Sequence, residues 1–167
     1  ASLYSASPWV SHFLTRHPIL LDELIEPRSL YAATNWAEQA TYLQKQLARH
    51  QGDTERQMDL LRDFQHAQIF RLVARDLAGD ISLEQVSDEL SALAELILQQ
   101  VLHLAWQGIP TRHRDTPAFA IIGYGKLGGK ELGYTSEFDI IFSYDDDPPA
   151  AGELYAKLAK RVINWLN

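Results

Sequence analysis

Apolar residues recur at steps of three and four from residue 7 to residue 109, and this period predicts helices throughout that part of the chain. The clearest pair is a helix over 53–78 and a second helix that begins after Ser82 and ends at Gly108. Ser82 and Gln85 have the spacing of a capping box, which marks the start of a helix. Because both helices carry a continuous apolar stripe, we expect them to pack together as core, rather than to offer the stripe to a partner helix.

Shorter helices are predicted before this pair. Asn35 is a candidate cap for a helix whose Trp36 and Tyr42 are expected in the core. Two further helices are predicted closer to the start of the chain, opened by Ser7 and by Pro18. The first two thirds of the chain are therefore expected to be all-helical.

The hydrophobic period changes after a charged linker that ends in proline. Short apolar runs at 118–122 and 138–142, rich in β-branched and aromatic residues, predict two buried strands. An amphipathic helix is predicted to follow from Glu153. The sequence therefore predicts an α+β protein with a helical domain at 1–111 and a second, strand-containing domain at 112–167.

Composition narrows the classes of function. The 167 residues carry a formal net charge of −7, which argues against a general nucleic-acid-binding protein, because that affinity comes from lysine and arginine neutralising phosphates. The chain has no cysteine, which excludes a disulfide framework and favours a cytoplasmic protein. No apolar run approaches the roughly 20 residues that span a bilayer.

A glycine-rich loop follows the first predicted strand. Its glycines are Gly123, Gly125, Gly128 and Gly129. Without side chains, the backbone of such a loop can close around a triphosphate and turn its N–H groups toward phosphate oxygens. Lys126 and Lys130 flank the glycines and are candidates to add positive charge there. The loop predicts a nucleotide-binding site.

Two acids follow the loop at the start of the second predicted strand. Side chains alternate across a strand, so Glu137 and Asp139 are expected on one face, opposite the buried Phe138. Like charges this close repel, and a divalent cation such as Mg²⁺ between them would relieve the repulsion. The Ser136 hydroxyl, just before the acids, is a candidate phosphate contact. The alternatives are that Thr135 and Ser136 only satisfy turn backbone, and that the acids only form a polar strand face.

A competing motif has to be weighed, because the spacing Gly-x-Gly-x-x-Gly from Gly123 also fits the dinucleotide-binding fingerprint, with acids at 145–147. That fingerprint requires the glycines to open a long crossover helix between parallel strands. Here only 126–132 has room to be helical before Gly133. A dinucleotide-binding protein is therefore the weaker alternative.

The residues that carry this chemistry resemble those of a known family, glutamine synthetase adenylyltransferase. The resemblance is carried by the long motif at 122–136 and by the strand at 138–142. Weaker similarity extends upstream through the helical region, at 7–10, 16–18, 64–78 and 86–88. Nearly the whole chain is covered.

The resemblance implies a fold, a reaction and partners. The family contains two related nucleotidyltransferase halves, one transferring AMP from ATP to a tyrosine of glutamine synthetase and one removing it by phosphorolysis. It implies that 112–167 opens a polymerase-β-like domain in which Glu137 and Asp139 are catalytic Mg²⁺ ligands and the glycine loop with Ser136 binds ATP. The sequence at 123–125 and at 131–134 is more similar to the adenylylating, C-terminal half. Glutamine synthetase and the PII signalling protein are the implied partners, with glutamine as a regulator.

Two departures from the family pattern keep alternatives open. The family usually has aspartate where this chain has Glu137, and its third acid lies on a later strand, which we expect beyond Asn167. The acids at 145–147 are a weaker substitute. The fragment is therefore expected to be inactive alone, and the alternatives are the deadenylylating half or a non-catalytic segment that docks glutamine synthetase or a regulator.

Overall fold

The computed structural model describes residue 15, residues 32–147 and residues 149–166. The helices predicted from Ser7 and Pro18 lie outside the described residues. The elements in chain order are α1 Trp36–Arg49, α2 Thr54–Ala78, α3 Leu83–Gln107, β1 Phe119–Gly123, α4 Gly125–Gly128, β2 Ile140–Tyr144 and α5 Ala151–Leu166. This is the α+β organisation that the sequence predicts. Across the described ranges, no helix combines the length and the apolar character needed to cross a membrane.

Side-chain caps set the starts of the long helices. Asn35 accepts a hydrogen bond from the Glu38 N–H at 3.3 Å, and Asp53 caps α2 in the same way. At α3 both halves of the capping box form: Ser82 Oγ accepts from the Gln85 N–H at 3.3 Å, and Gln85 Oε1 accepts from the Ser82 N–H at 2.8 Å. Each cap satisfies a donor that the first helical turn leaves without a partner. The predicted starts of these three helices are confirmed, and the closing helix α5 begins at Ala151 rather than at Glu153.

The main core lies around α3, which contacts α1, α2 and α5. Its buried members come from all four helices and include Leu43, Leu61, Phe64, Ile97, Val101, Trp106, Tyr155, Leu158 and Val162. The predicted packing of α2 on α3 is confirmed. Trp106 and Tyr155 stack with ring centroids 5.8 Å apart, so the core is continuous across the expected boundary at residue 111, and the division into two domains stays a prediction.

The two strands form an antiparallel sheet, with a register from Phe119 opposite Tyr144 to Gly123 opposite Ile140. One face of the sheet packs on the main core through Phe119, Ile121 and Phe142. The antiparallel pairing excludes the parallel crossover of a dinucleotide-binding unit, as does the single turn of helix between the strands.

The strands are displaced from their predicted positions. β1 occupies 119–123 rather than 118–122, and β2 occupies 140–144 rather than 138–142. The chain leaves β1 at Gly123 to form a turn, so residues 137–139 have no ladder partner beyond a single bond from the Tyr124 N–H to the Asp139 carbonyl oxygen. The acids therefore precede the strand on which the sequence placed them.

One core prediction in α1 is wrong. Tyr42 is 55 % exposed, while its neighbour Leu43 is 1 % exposed. Adjacent helical positions point about 100° apart, so only one of the two can face the core, and the spacing of Leu43 and Leu47 decides which. Trp36 is half-buried against the main core and donates its indole N–H to Glu89 Oε2 at 2.8 Å.

Candidate active site

The sheet brings the glycine turn and the acids together. Gly123 ends β1 opposite Ile140, and the Tyr124 N–H donates to the Asp139 carbonyl oxygen at 2.7 Å. The turn α4 begins immediately afterwards at Gly125. Antiparallel pairing therefore places two segments that are adjacent in the motif side by side in space, as the prediction of a common site requires.

Gly125 lies close to the side chain of one predicted acid, Asp139. Its φ is +51°, and a Cβ at this position would lie 2.6 Å from Asp139 Oδ2. L-residues rarely adopt this backbone conformation, and the contact would be far shorter than van der Waals distance. The missing side chain thus leaves the space in which the Asp139 carboxylate lies.

Two of the four glycines have a structural role inside the turn. A Cβ on Gly128 would lie 2.6 Å from the Gly123 carbonyl oxygen, so the turn closes back on β1 only with glycine there. The N–H groups of Gly128 and Gly129 donate to the carbonyl oxygens of Tyr124 and Gly125 at 3.0 and 2.9 Å. These two amides are occupied, and the candidate phosphate donors of the turn are the amides before them.

The flanking lysines are exposed on the side of the turn that faces α3. Lys126, Lys130 and Ser136 line a cavity of about 470 Å³ beside the first turns of α3. Gly123, Gly128 and again Lys130 line a second cavity of about 670 Å³ between α3 and β1. Neither cavity reaches Glu137 or Asp139, so the predicted nucleotide-binding residues do not converge on one cavity.

Ser136 supports the turn that leads into the acids. Its Oγ accepts a hydrogen bond from the Gly133 N–H at 2.9 Å, and its own N–H donates to the Gly133 carbonyl oxygen at 3.0 Å. Ser136 therefore satisfies backbone groups of the turn, as the alternative interpretation predicts. Its hydroxyl hydrogen is not used in these bonds, so contact with a phosphate stays a prediction.

The two acids occupy one face of the extended segment before β2. Glu137 and Asp139 are exposed, whereas Phe138 and Ile140 are half-buried, so the predicted alternation is confirmed. Two exposed carboxylates on one face fit Mg²⁺, which proteins hold through one or two carboxylates together with substrate phosphates and water. Among the described residues, no group of three or more acids or histidines assembles into a metal site.

The acids at 145–147 do not join this pair. Asp146 Oδ2 accepts hydrogen bonds from the Tyr155 hydroxyl at 2.6 Å and from His113 Nε2 at 2.8 Å, and it lies 3.3 Å from the Arg114 guanidinium. The Tyr155 hydrogen bond is the main cause that holds the pKa of Asp146 below its usual range; burial opposes the shift, while His113 and Arg114 reinforce it. Asp146 ties the segment after α3, through His113 and Arg114, to Tyr155 of α5, which is a structural role.

Residues 132–139, which lead into β2 and carry the two acids, are called the acid segment. Sequence reasoning missed the residues that anchor this segment to the helices. Leu132 is 3 % exposed, and the Tyr134 hydroxyl donates to Asp76 Oδ2 at 2.9 Å. Leu132 lies between Gly129 and Gly133, and Tyr134 directly follows Gly133, where the local pattern indicates only a loop. An apolar residue in a polar loop was the one available signal, since the partners lie far earlier in the chain, on α2 and α3.

The fold and the site thus define an α+β protein in which a glycine turn is held against a pair of acids. The sequence matches the family described as glutamate-ammonia ligase adenylyltransferase over residues 1–167. The chain therefore belongs to this family.

Curated relatives in this family share one name, bifunctional glutamine synthetase adenylyltransferase/adenylyl-removing enzyme. The chain is 61 % identical to the relative from Chromobacterium violaceum over 166 residues, which are 99 % of this chain and 19 % of that protein. It is 53 % identical to the relative from Neisseria meningitidis serogroup A over 167 residues, covering 100 % and 19 % of the two chains. The relative from Nitrosomonas eutropha is 55 % identical over 172 aligned residues, covering 99 % and 18 %. The chain spans about a fifth of the length of these relatives.

Proposed function

We propose that this chain forms the opening part of a nucleotidyltransferase site that transfers AMP from ATP to a tyrosine of glutamine synthetase. The observation that carries the proposal is the approach of Asp139 Oδ2 to the position where Gly125 lacks a side chain. It couples the glycine turn to the acid pair. The names of the relatives supply the acceptor protein, and membership of the family supports the reaction class.

The reaction is an in-line displacement at phosphorus. The phenolic oxygen of the acceptor tyrosine attacks the α-phosphorus of ATP, the bond to the bridging α,β oxygen breaks, and pyrophosphate leaves while the phenol loses its proton. Positioning and charge neutralisation are the main contributions an enzyme makes to such a transfer. Glu137 and Asp139 are the residues that would hold Mg²⁺, which supplies charge neutralisation at the triphosphate.

The chain's own residues contribute geometry and charge. The α4 turn begins beside Asp139 and offers the backbone N–H groups at its start, while the exposed Lys126 adds positive charge on the side of the turn that faces α3. Ser136 shapes the turn that delivers Glu137 and Asp139 to one face. These residues bind and orient the triphosphate, and the acceptor tyrosine comes from the partner protein.

We assign the site to the adenylylating half, because the sequence at 123–125 and 131–134 is more similar to that half. The phosphorolytic half would instead use phosphate to release ADP from adenylylated glutamine synthetase. The complete enzyme that carries this sequence should lose ATP-dependent AMP incorporation when the site is damaged, and retain phosphate-dependent ADP release. The opposite pattern would assign the site to the deadenylylating half. Regulation by PII and glutamine and a cytoplasmic location belong to the same proposal.

The test of the site is Asp139→Asn in the complete enzyme. The substitution removes the charge of one metal ligand while keeping its shape, so Mg²⁺-dependent AMP incorporation should fall at least about 100-fold, while circular dichroism stays unchanged. Asp145→Asn is the matched control, because Asp145 is exposed at the other end of β2 and should tolerate the change. Normal AMP incorporation in Asp139→Asn would refute the assignment.

A second experiment decides whether the glutamate supports catalysis. Glu137→Asp restores the shorter acid that the family usually has at this position, and Glu137→Gln removes the charge. If the site is catalytic, Glu137→Gln should lose AMP incorporation and Glu137→Asp should retain it. If wild type and Glu137→Asp both lack metal-dependent incorporation yet the complete protein binds glutamine synthetase, this chain acts as a docking segment.

A further inference from the structure

The segment that carries the acids is anchored on the helices by a small second core. Leu72 from α2 and Val86, Leu90 and Ala94 from α3 surround Leu132, which lies in the loop between the glycine turn and the acids. The Ser87 hydroxyl donates to the Leu132 carbonyl oxygen at 3.1 Å. The side chain and the backbone of Leu132 are thus both held by the helical pair.

The same small core contacts the site from two sides. Leu127 belongs to the α4 turn, and Phe138 lies between Glu137 and Asp139; both are partly buried against this core. The turn and the acid pair therefore rest on a common apolar support. Any change in how α2 and α3 pack there changes the distance between the two halves of the site, because close-packed cores transmit displacement.

Tyr134 adds a polar anchor at the edge of this support. Its ring packs against the small core, and its hydroxyl donates to Asp76 Oδ2, near the end of α2, at 2.9 Å. Burial, followed by the hydrogen bond and charge of Asp76, raises the pKa of Tyr134, so the hydroxyl keeps its proton and remains a donor. The bond spans 58 positions in the sequence and connects the helical part directly to the acid segment.

We infer that Leu132 and Tyr134 are positioning residues, through which the α2–α3 pair sets the placement of Glu137 and Asp139 relative to the glycine turn. This inference rests on the proposed function for its catalytic consequence. The anchoring itself concerns only this chain and has its own measurement. Neither residue contacts the substrate; both act through the acids.

The test compares Tyr134→Phe with Asp76→Ala in the complete enzyme. Each variant removes the hydrogen bond and leaves the ring packing, so hydrogen exchange at the amides of 132–139 should quicken. The Mg²⁺ concentration for half-maximal AMP incorporation should rise about fivefold. The double variant should show no further change, since both substitutions break one interaction. Tyr42→Phe and Asp63→Ala are the controls, on an exposed tyrosine in α1 and an exposed aspartate in the first half of α2.

The outcomes separate this inference from the proposed function. Unchanged exchange at 132–139 together with an unchanged Mg²⁺ requirement in Tyr134→Phe would overturn the inference, even if Asp139→Asn abolishes AMP incorporation. The inference would also be overturned if the variants lose activity only in proportion to a loss of folded protein, while the Mg²⁺ concentration for half-maximal activity stays unchanged. If Asp139→Asn remains active, the proposed function fails, and quicker exchange in both single variants still supports the anchoring.

Discussion

The substitution Gly125→Ala tests the site through a single added methyl group. At φ +51°, an alanine is strained by roughly 1–2 kcal/mol relative to glycine. Its Cβ would also lie 2.6 Å from Asp139 Oδ2. Ordinary contact lies near 3.5 Å, so the carboxylate has to move by about 0.9 Å.

A shift of this size in the Asp139 carboxylate should leave the fold intact, but it is large for a residue that would hold a metal ion. Ligand distances in a metal site are held to about 0.2 Å, and a misplacement of about 1 Å at a catalytic group costs on the order of 100-fold in rate. We therefore expect Gly125→Ala to keep the fold with a modest loss of stability, and to lose about 100-fold in Mg²⁺-dependent AMP transfer. The assay is AMP incorporation by the complete enzyme as a function of Mg²⁺, alongside chemical denaturation.

Gly129→Ala is the matched control at the other end of the same turn. Its φ is −81°, and its nearest contact would be the Gly125 carbonyl oxygen at 3.4 Å, so alanine fits without strain. It should retain activity. If Gly125→Ala transfers AMP within about threefold of the wild-type rate, or if both alanine variants lose activity equally, the argument from Asp139 geometry is refuted.

Two further predictions concern the structural parts of the chain. Because the pKa of Asp146 is lowered in the folded state, its contribution to stability is present above the unfolded-state pKa of about 4 and is lost as pH falls through the lower folded value. Asp146→Asn should therefore weaken the dependence of unfolding free energy on pH between about pH 5 and pH 2, measured by chemical denaturation. An unaltered acid slope would contradict this reading of the Tyr155 bond. Leu158→Ala removes a fully buried side chain from the main core and should lower the free energy of unfolding by about 2–5 kcal/mol. Ile163, also in α5, is 45 % exposed, so Ile163→Ala should lower the free energy of unfolding by less than about 1 kcal/mol. Similar losses in the two variants would contradict the packing of α5.

The local pattern of the sequence was sufficient for the described long helices and for the alternation of exposed and half-buried residues around the acids. Ser82 and Gln85 form the predicted box because both partners lie within one turn of the helix. The alternation of exposed Glu137 and Asp139 with half-buried Phe138 also follows from neighbouring residues alone. Such features depend on interactions a few residues apart, which a period or a cap spacing encodes.

Only the tertiary structure decided how the motif is held. The start of β2 at Ile140 depends on where β1 ends, and the exposure of Tyr42 depends on which face of α1 meets α2 and α3. The bond from Tyr134 to Asp76 joins segments far apart in the chain, and no local period encodes a contact of that range. The sequence by itself determined which residues are the candidates for the chemistry, whereas packing between distant segments decided where those residues lie, because the placement of a loop is set by the cores on which it rests.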